Sequence, residues 1–177
     1  MSAIETLNQL DQQDAQARLT QCCGAERWVT RLLEQRPFAS VEQLRQAADE
    51  IWWALDPQDW CEAFTHHPKI GDMASLRTKF VSTQTWAAGE QASVREASET
   101  ILTQLAQGNV AYEQKFGYIF IVCATGKSAQ EMLVLLEQRL PHSPELELKI
   151  AAEEQRKITQ IRLGKWLDEL ALWPQEK

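Results

Sequence analysis

The chain has 177 residues, 44% hydrophobic and 24% charged, a balance that supports one globular domain with a substantial core. Its net charge of −7, with Lys and Arg scattered, leaves no basic excess to meet phosphates and argues against a nucleic-acid partner. No run of about 18 apolar residues is present, which argues against a membrane span, and the opening MSAIETLNQLDQQDAQ lacks the basic-then-apolar layout of a signal peptide.

The closing WPQEK is not a peroxisomal address, so a soluble cytoplasmic protein is expected. Cys22, Cys23, Cys61 and Cys123 form no Cys-x-x-Cys pair; reduced thiols and no metal site are expected. Seven tryptophans imply either a well-filled core or a pocket with flat walls.

Helical rhythm and strong helix formers predict helices over 4–19, 23–35, 40–54 and 57–66. Arg36-Pro37 breaks the second, and Ser40 with Gln43 starts the third. Asp56 caps the fourth, with Pro57 in its first turn. That helix runs into AFTHHPKIGD, which holds two of the chain's three histidines. Trp60, Phe64 and His67 share an apolar face, while Asp59, Glu62 and His66 share a polar one. Pro68 disfavours helical geometry at His67, so the helix stops there, with His67 toward the core and His66 outward. The negative helix C-terminus favours a protonated imidazole and burial opposes it. His67 is then either a proton-exchanging group near neutral pH or a core histidine satisfied by a backbone carbonyl.

A less regular stretch with short turns follows over 68–86. Further helices are predicted over 88–108, ending at Gly108-Asn109, over 111–115, over 128–140, opened by Ser128 with Glu131, and over 144–171. Within 85–94, Glu90-Gln91 sit among small residues, a pattern that also fits a solvated helical turn. FGYIFIVCATG, residues 116–126, is β-branched and aromatic between glycines. It reads as a short extended piece whose amides bind a polar ligand, or else as a helix start with misleading composition. On the last helix, Arg162 lies between Ile158 and Trp166 on an apolar arc with Leu163, Leu167 and Leu170. An arginine there either pairs with a carboxylate or snorkels to water. The fold class expected is all-α: a single-domain helical bundle over 1–177, about eight helices, with one short extended segment near 116–124.

Five stretches stand in an order that resembles one family: CCGAERWVTRLLEQRPF, DWCEAFTHHPKIGD, Glu90-Gln91, NVAYEQKFGYIFIVCATGKS and ELELKIAAEEQRKITQIRL. The family is 2-oxo-4-hydroxy-4-carboxy-5-ureidoimidazoline (OHCU) decarboxylase, and HPKIGD resembles its bacterial type. The resemblance implies an all-helical, cofactor-free carboxy-lyase, usually a homodimer, that converts OHCU to (S)-allantoin in urate breakdown. By the same resemblance the essential histidine falls on His67 beside Pro68. The acid falls on Glu90, the neighbouring substrate contact on Gln91 and the arginine on Arg162. The substrate-contacting extended segment falls on Ile119, Phe120, Ile121, Val122 and Cys123. One departure is Ala87, where the family often has serine. The competing readings are a helical protein-binding adaptor, a same-fold enzyme acting on another ureide, and a metal hydrolase using His66, His67 and Asp72. The last fits badly, because the two histidines are expected on different faces.

Overall fold

The computed structural model describes residues 2–67, 73–80 and 91–172, apart from the side chains of 79 and 91–97. Among these residues every regular element is an α-helix. In chain order they are α1 (Ala3–Gln9), α2 (Gln12–Cys22), α3 (Glu26–Glu34), α4 (Val41–Trp53), α5 (Pro57–Thr65), α6 (Met73–Phe80), α7 (Gln91–Phe116), α8 (Ala129–Arg139) and α9 (Pro144–Ala171). No described helix is long and apolar enough to cross a membrane. Two compact units emerge, Met1–His67 with Ala152–Lys177, and Pro68–Ala151; α9 contributes to both.

Local capping explains most helix starts. Ser40 Oγ accepts from the Gln43 amide at 3.1 Å while Gln43 Oε1 accepts from the Ala39 amide. Ser128 and Glu131 form a reciprocal capping box at α8. Capping also explains one departure. The helix expected over 4–19 is two helices, because Asp11 accepts from the Asp14 amide at 2.9 Å and restarts the chain there.

In the first unit the core is built on Trp28, Leu32, Leu44, Trp52, Phe64 and Leu163, all buried. Three indole N–H groups each reach a main-chain carbonyl: Trp28 to Ala48, Trp52 to Ala152 and Trp60 to Trp52. Trp28 and Trp52 thus belong to a filled core whose polar edges are satisfied. In the second unit Leu102 and Leu105 of α7 pack with Met132, Leu133 and Leu136 of α8, and with Leu76.

The pair Gly108-Asn109 does not end a helix; α7 runs through it to Phe116. A Cβ on Gly108 would stand 2.5 Å from Leu136 Cδ2, so this glycine serves the close approach of α7 to α8. The helix ends at Gly117, whose φ of 81° is left-handed and whose amide bonds to Glu113 O. Residues 117–128 are then non-helical. Ile121 and Cys123 are buried while Phe120, Val122 and Ala124 pack on the α7–α8 cluster, the two-residue alternation of an extended chain.

Candidate active site

The fourth predicted helix, now α5, places the histidines as its spacing requires. Asp56 precedes it with Pro57 in the first turn, and the Asp56 amide donates to Asp59 Oδ2 at 3.1 Å. At the other end His66 is the C-cap and exposed, and His67 is half-buried. Behind His66 lies Gly24 of the CCGA junction between α2 and α3. A Cβ there would come within 2.2 Å of His66 Cγ. Only glycine lets the end of α5 approach that closely.

His67 meets α9. Its Nε2 lies 2.5 Å from Gln155 Oε1, and Gln155 Nε2 donates to Thr159 Oγ1 at 3.1 Å. Thr159 in turn hydrogen-bonds the Cys23 thiol, which also accepts from the Ala25 amide. Gln155 and Cys23 are fully buried. A buried carboxamide needs partners on both ends, and these contacts supply them. The His67 ring partner is therefore a side chain of a distant helix, where the core-histidine reading expected a backbone carbonyl.

Burial is the largest influence on the His67 imidazole and holds its pKa below the ordinary 6.5. The hydrogen bond to Gln155 works the other way, and the charges of Arg162 and His66 add to the lowering. Burial thus outweighs the bond to Gln155, and the neutral form of the ring is favoured. Burial also pushes the thiols up, Cys22 to about 11 and Cys23 to about 12, so both are protonated. Arg162 acts electrostatically on His67 and on both cysteines. Its Nη1 donates to the carbonyls of Gln21 and Cys22 at 3.2 and 3.4 Å. This is a partner that neither sequence alternative included: the last carbonyls of α2, which carry partial negative charge.

In the second unit the extended segment is held from behind. Arg139 Nη1 donates to Ile121 O at 2.8 Å, and Lys127 Nζ donates to Cys123 O at 2.7 Å. The Arg139 guanidinium lies 4.6 Å from the Phe120 ring centre. Arg139 itself is neutralised by Glu147, which has no exposed surface. Arg139 Nε donates to Glu147 Oε1 at 2.7 Å, Tyr112 OH to the same oxygen at 2.5 Å, and His142 Nδ1 lies 3.0 Å from Oε2. Burial and the bond to Glu147 push the Tyr112 pKa far up, so this hydroxyl keeps its proton, donating to Glu147 while accepting from Arg139 Nη2 at 3.4 Å. In an extended chain the main-chain groups of alternate residues point to opposite edges. The carbonyls of Ile121 and Cys123 face Arg139 and Lys127.

Of the residues expected at the site, His67 and Arg162 lie in the first unit within mutual electrostatic reach. Ile119, Phe120, Ile121, Val122 and Cys123 belong to the second. Gln91 opens α7. Pro68, Ala87 and Glu90 lie outside the described residues, as does Asp72 of the metal reading. His66 is set against Gly24 while His67 turns to Gln155, so the two rings are committed to different neighbours. Gln155 and Thr159 were missed by sequence reasoning. The signal was available: Ala152, Gln155, Thr159, Leu163, Trp166 and Leu170 form one buried stripe at helical spacing, and two of its members are polar.

Comparison with known proteins adds an independent line. The sequence model of the OHCU decarboxylase family matches residues 8–164. The uric acid degradation bifunctional protein TTL of Arabidopsis thaliana is 36% identical over 151 residues, 85% of this chain and 46% of that protein. The 2-oxo-4-hydroxy-4-carboxy-5-ureidoimidazoline decarboxylase of Amia calva is 30% identical over 133 residues, 72% of this chain and 73% of that one. The chain thus spans less than half the length of the bifunctional relatives it matches. A crystal structure of an OHCU decarboxylase in the presence of (S)-allantoin superposes with a TM-score of 0.67 at 34% identity, covering 84% of this chain and 96% of that one.

Proposed function

The chain belongs to the OHCU decarboxylase family, and from that premise we propose that it decarboxylates OHCU to (S)-allantoin, as a cofactor-independent carboxy-lyase of urate breakdown. The proposal takes residues 1–177 as one domain acting as a cytoplasmic homodimer. What carries it on the molecule itself is His67, a half-buried imidazole kept neutral beside the cationic Arg162.

The substrate needs little else. OHCU bears a carboxylate and a hydroxyl on one ring carbon, next to a C=N bond. Cleavage of the bond to the carboxylate releases CO2. The electron pair forms a C=C bond, and the C=N pair moves to nitrogen, which takes a proton. Loss of the hydroxyl proton and protonation of the ureido-bearing carbon then give allantoin. The substrate supplies its own electron sink, so the protein's task is to orient the carboxylate, move protons and shield one face.

The roles follow from this chemistry. His67 is the acid–base group at the hydroxyl-bearing carbon and enters the cycle as a base, since it is neutral. Arg162, anchored through Nη1 on the end of α2, pairs with the substrate carboxylate or a ring carbonyl. Glu90 holds a substrate N–H or hydroxyl. Gln91 and the main-chain amides of residues 119–123 bind ureido and ring carbonyls, and Pro68, next to His67 in sequence, contacts substrate. The family pattern supports these last assignments.

The test is optical. Urate oxidase and the hydrolase of the following step are mixed with this protein, and the handedness of the allantoin is followed. OHCU decays unaided to racemic allantoin, so a levo- or dextrorotatory product requires the protein. His67→Gln should lower kcat by roughly 10² to 10⁴. Racemic product from the native chain, or native turnover in His67→Gln, would refute the assignment.

A further inference from the structure

The buried stripe of α9 carries more than packing. Gln155 Nε2 donates to Thr159 Oγ1, so the carboxamide turns its oxygen to His67. That oxygen only accepts, and the ring nitrogen facing it at 2.5 Å must therefore carry a hydrogen. A neutral imidazole with its proton on Nε2 has its lone pair on Nδ1. The orientation of the carboxamide is itself fixed. Thr159 accepts from it and passes its own hydroxyl to the Cys23 sulfur, which the Ala25 amide also holds. The line of contacts thus runs from His67 through Gln155 and Thr159 to the α2–α3 junction, the place where Arg162 is anchored.

From this geometry we propose that Gln155 is a positioning residue for the decarboxylase reaction, holding His67 as the Nε2–H tautomer so that Nδ1 is the atom that exchanges protons with substrate. The inference rests on His67 being the acid–base group, and it adds which nitrogen works and what holds it. Thr159 orients Gln155, and the Cys23 thiol ends the line as an acceptor, with no redox or nucleophilic part. Among the described residues, the charged and titratable groups that act on the ring are Arg162 from α9 and His66 beside it. Both oppose protonation of His67.

The chain has three histidines, so ¹⁵N-labelled protein gives few ring signals, and His67→Gln identifies those of residue 67. Above pH 6.5 the native ring should show Nε2 protonated and Nδ1 bare; a ring protonated at Nδ1 overturns the proposal. This readout needs no turnover, so failure of the decarboxylase reading and failure of this inference are separable. In kinetics, Gln155→Met removes the acceptor. It should lower kcat by roughly tenfold to a hundredfold, the usual effect of losing a group that orients an active residue, with KM within about twofold of native. Its acid limb should move to lower pH, because the bond to Gln155 favours the imidazolium. Gln155→Glu keeps an oxygen at the same place and should retain the Nε2–H tautomer and more turnover than Gln155→Met. Native kcat and an unmoved pH profile in Gln155→Met overturn the proposal. Should that variant fail to fold, Thr159→Val releases the carboxamide and must show a mixed tautomer and reduced kcat; a native tautomer and native kcat there overturn it equally.

Discussion

Replacing Glu147 by leucine isolates a heavily committed buried charge of the second unit. The carboxylate is wholly buried and accepts from Arg139, Tyr112 and His142, while Arg139 is only 6% exposed. The substitution leaves a buried guanidinium with the Ile121 carbonyl and Tyr112 hydroxyl as its neighbours. Removing one partner of a buried ion pair destabilises by about 3–5 kcal/mol. The stranded Tyr112 hydroxyl is worth about 1–3 kcal/mol taken alone, but it shares the same carboxylate, so the losses do not add. About 4 kcal/mol is the expected total. With a urea slope of about 2 kcal/mol per molar, the unfolding midpoint falls by about 2 M. The double variant Glu147→Leu with Arg139→Met removes both charges and should recover to within about 2 kcal/mol of native, the remainder being the Ile121 carbonyl left without its donor. Urea unfolding followed by circular dichroism reads all of this. A midpoint drop below about 0.5 M for Glu147→Leu, or a double variant as unstable as the two singles summed, would show that the cluster is not a coupled pair.

Three further outcomes are expected. The His67 pKa lies below 6.5, so between that folded value and 6.5 the unfolded chain binds more protons than the folded one. Stability from the neutral ring is therefore complete above 6.5 and is lost as pH falls through the folded value. The acid limb of kcat/KM should lie on the acid side of 6.5, and a limb above it contradicts the burial argument. Arg162→Lys keeps the charge but loses the fork, and should raise KM roughly tenfold to a hundredfold with a smaller change in kcat. Arg162→Met also removes the field on His67 and should shift the acid limb up; unchanged kinetics in both would leave Arg162 a helix cap and no more. Gly24→Ala puts a Cβ 2.2 Å from His66 Cγ. The end of α5 must yield, at about 1–3 kcal/mol of stability, and kcat should fall because His67 moves with its neighbour; native melting temperature and kcat would deny the close approach.

Helix starts were legible in the sequence because capping is local. Ser40 with Gln43 and Ser128 with Glu131 each close their own first turn within three residues. The opposite facing of His66 and His67 was equally legible, since it needs only the helical period and the proline that follows. The extended character near 116–124 could be read from its β-branched run, although no strand forms among the described residues. What could not be read was who stands across the core. Gly108 looked like a stop and is instead the contact point for Leu136. The partners of Arg162 are carbonyls about 140 residues away, and the partner of His67 is 88 residues away. A sequence records local backbone preference and the direction of a side chain on its own helix. The identity of a group approaching from another helix depends on how the helices pack, and only the folded chain decides that.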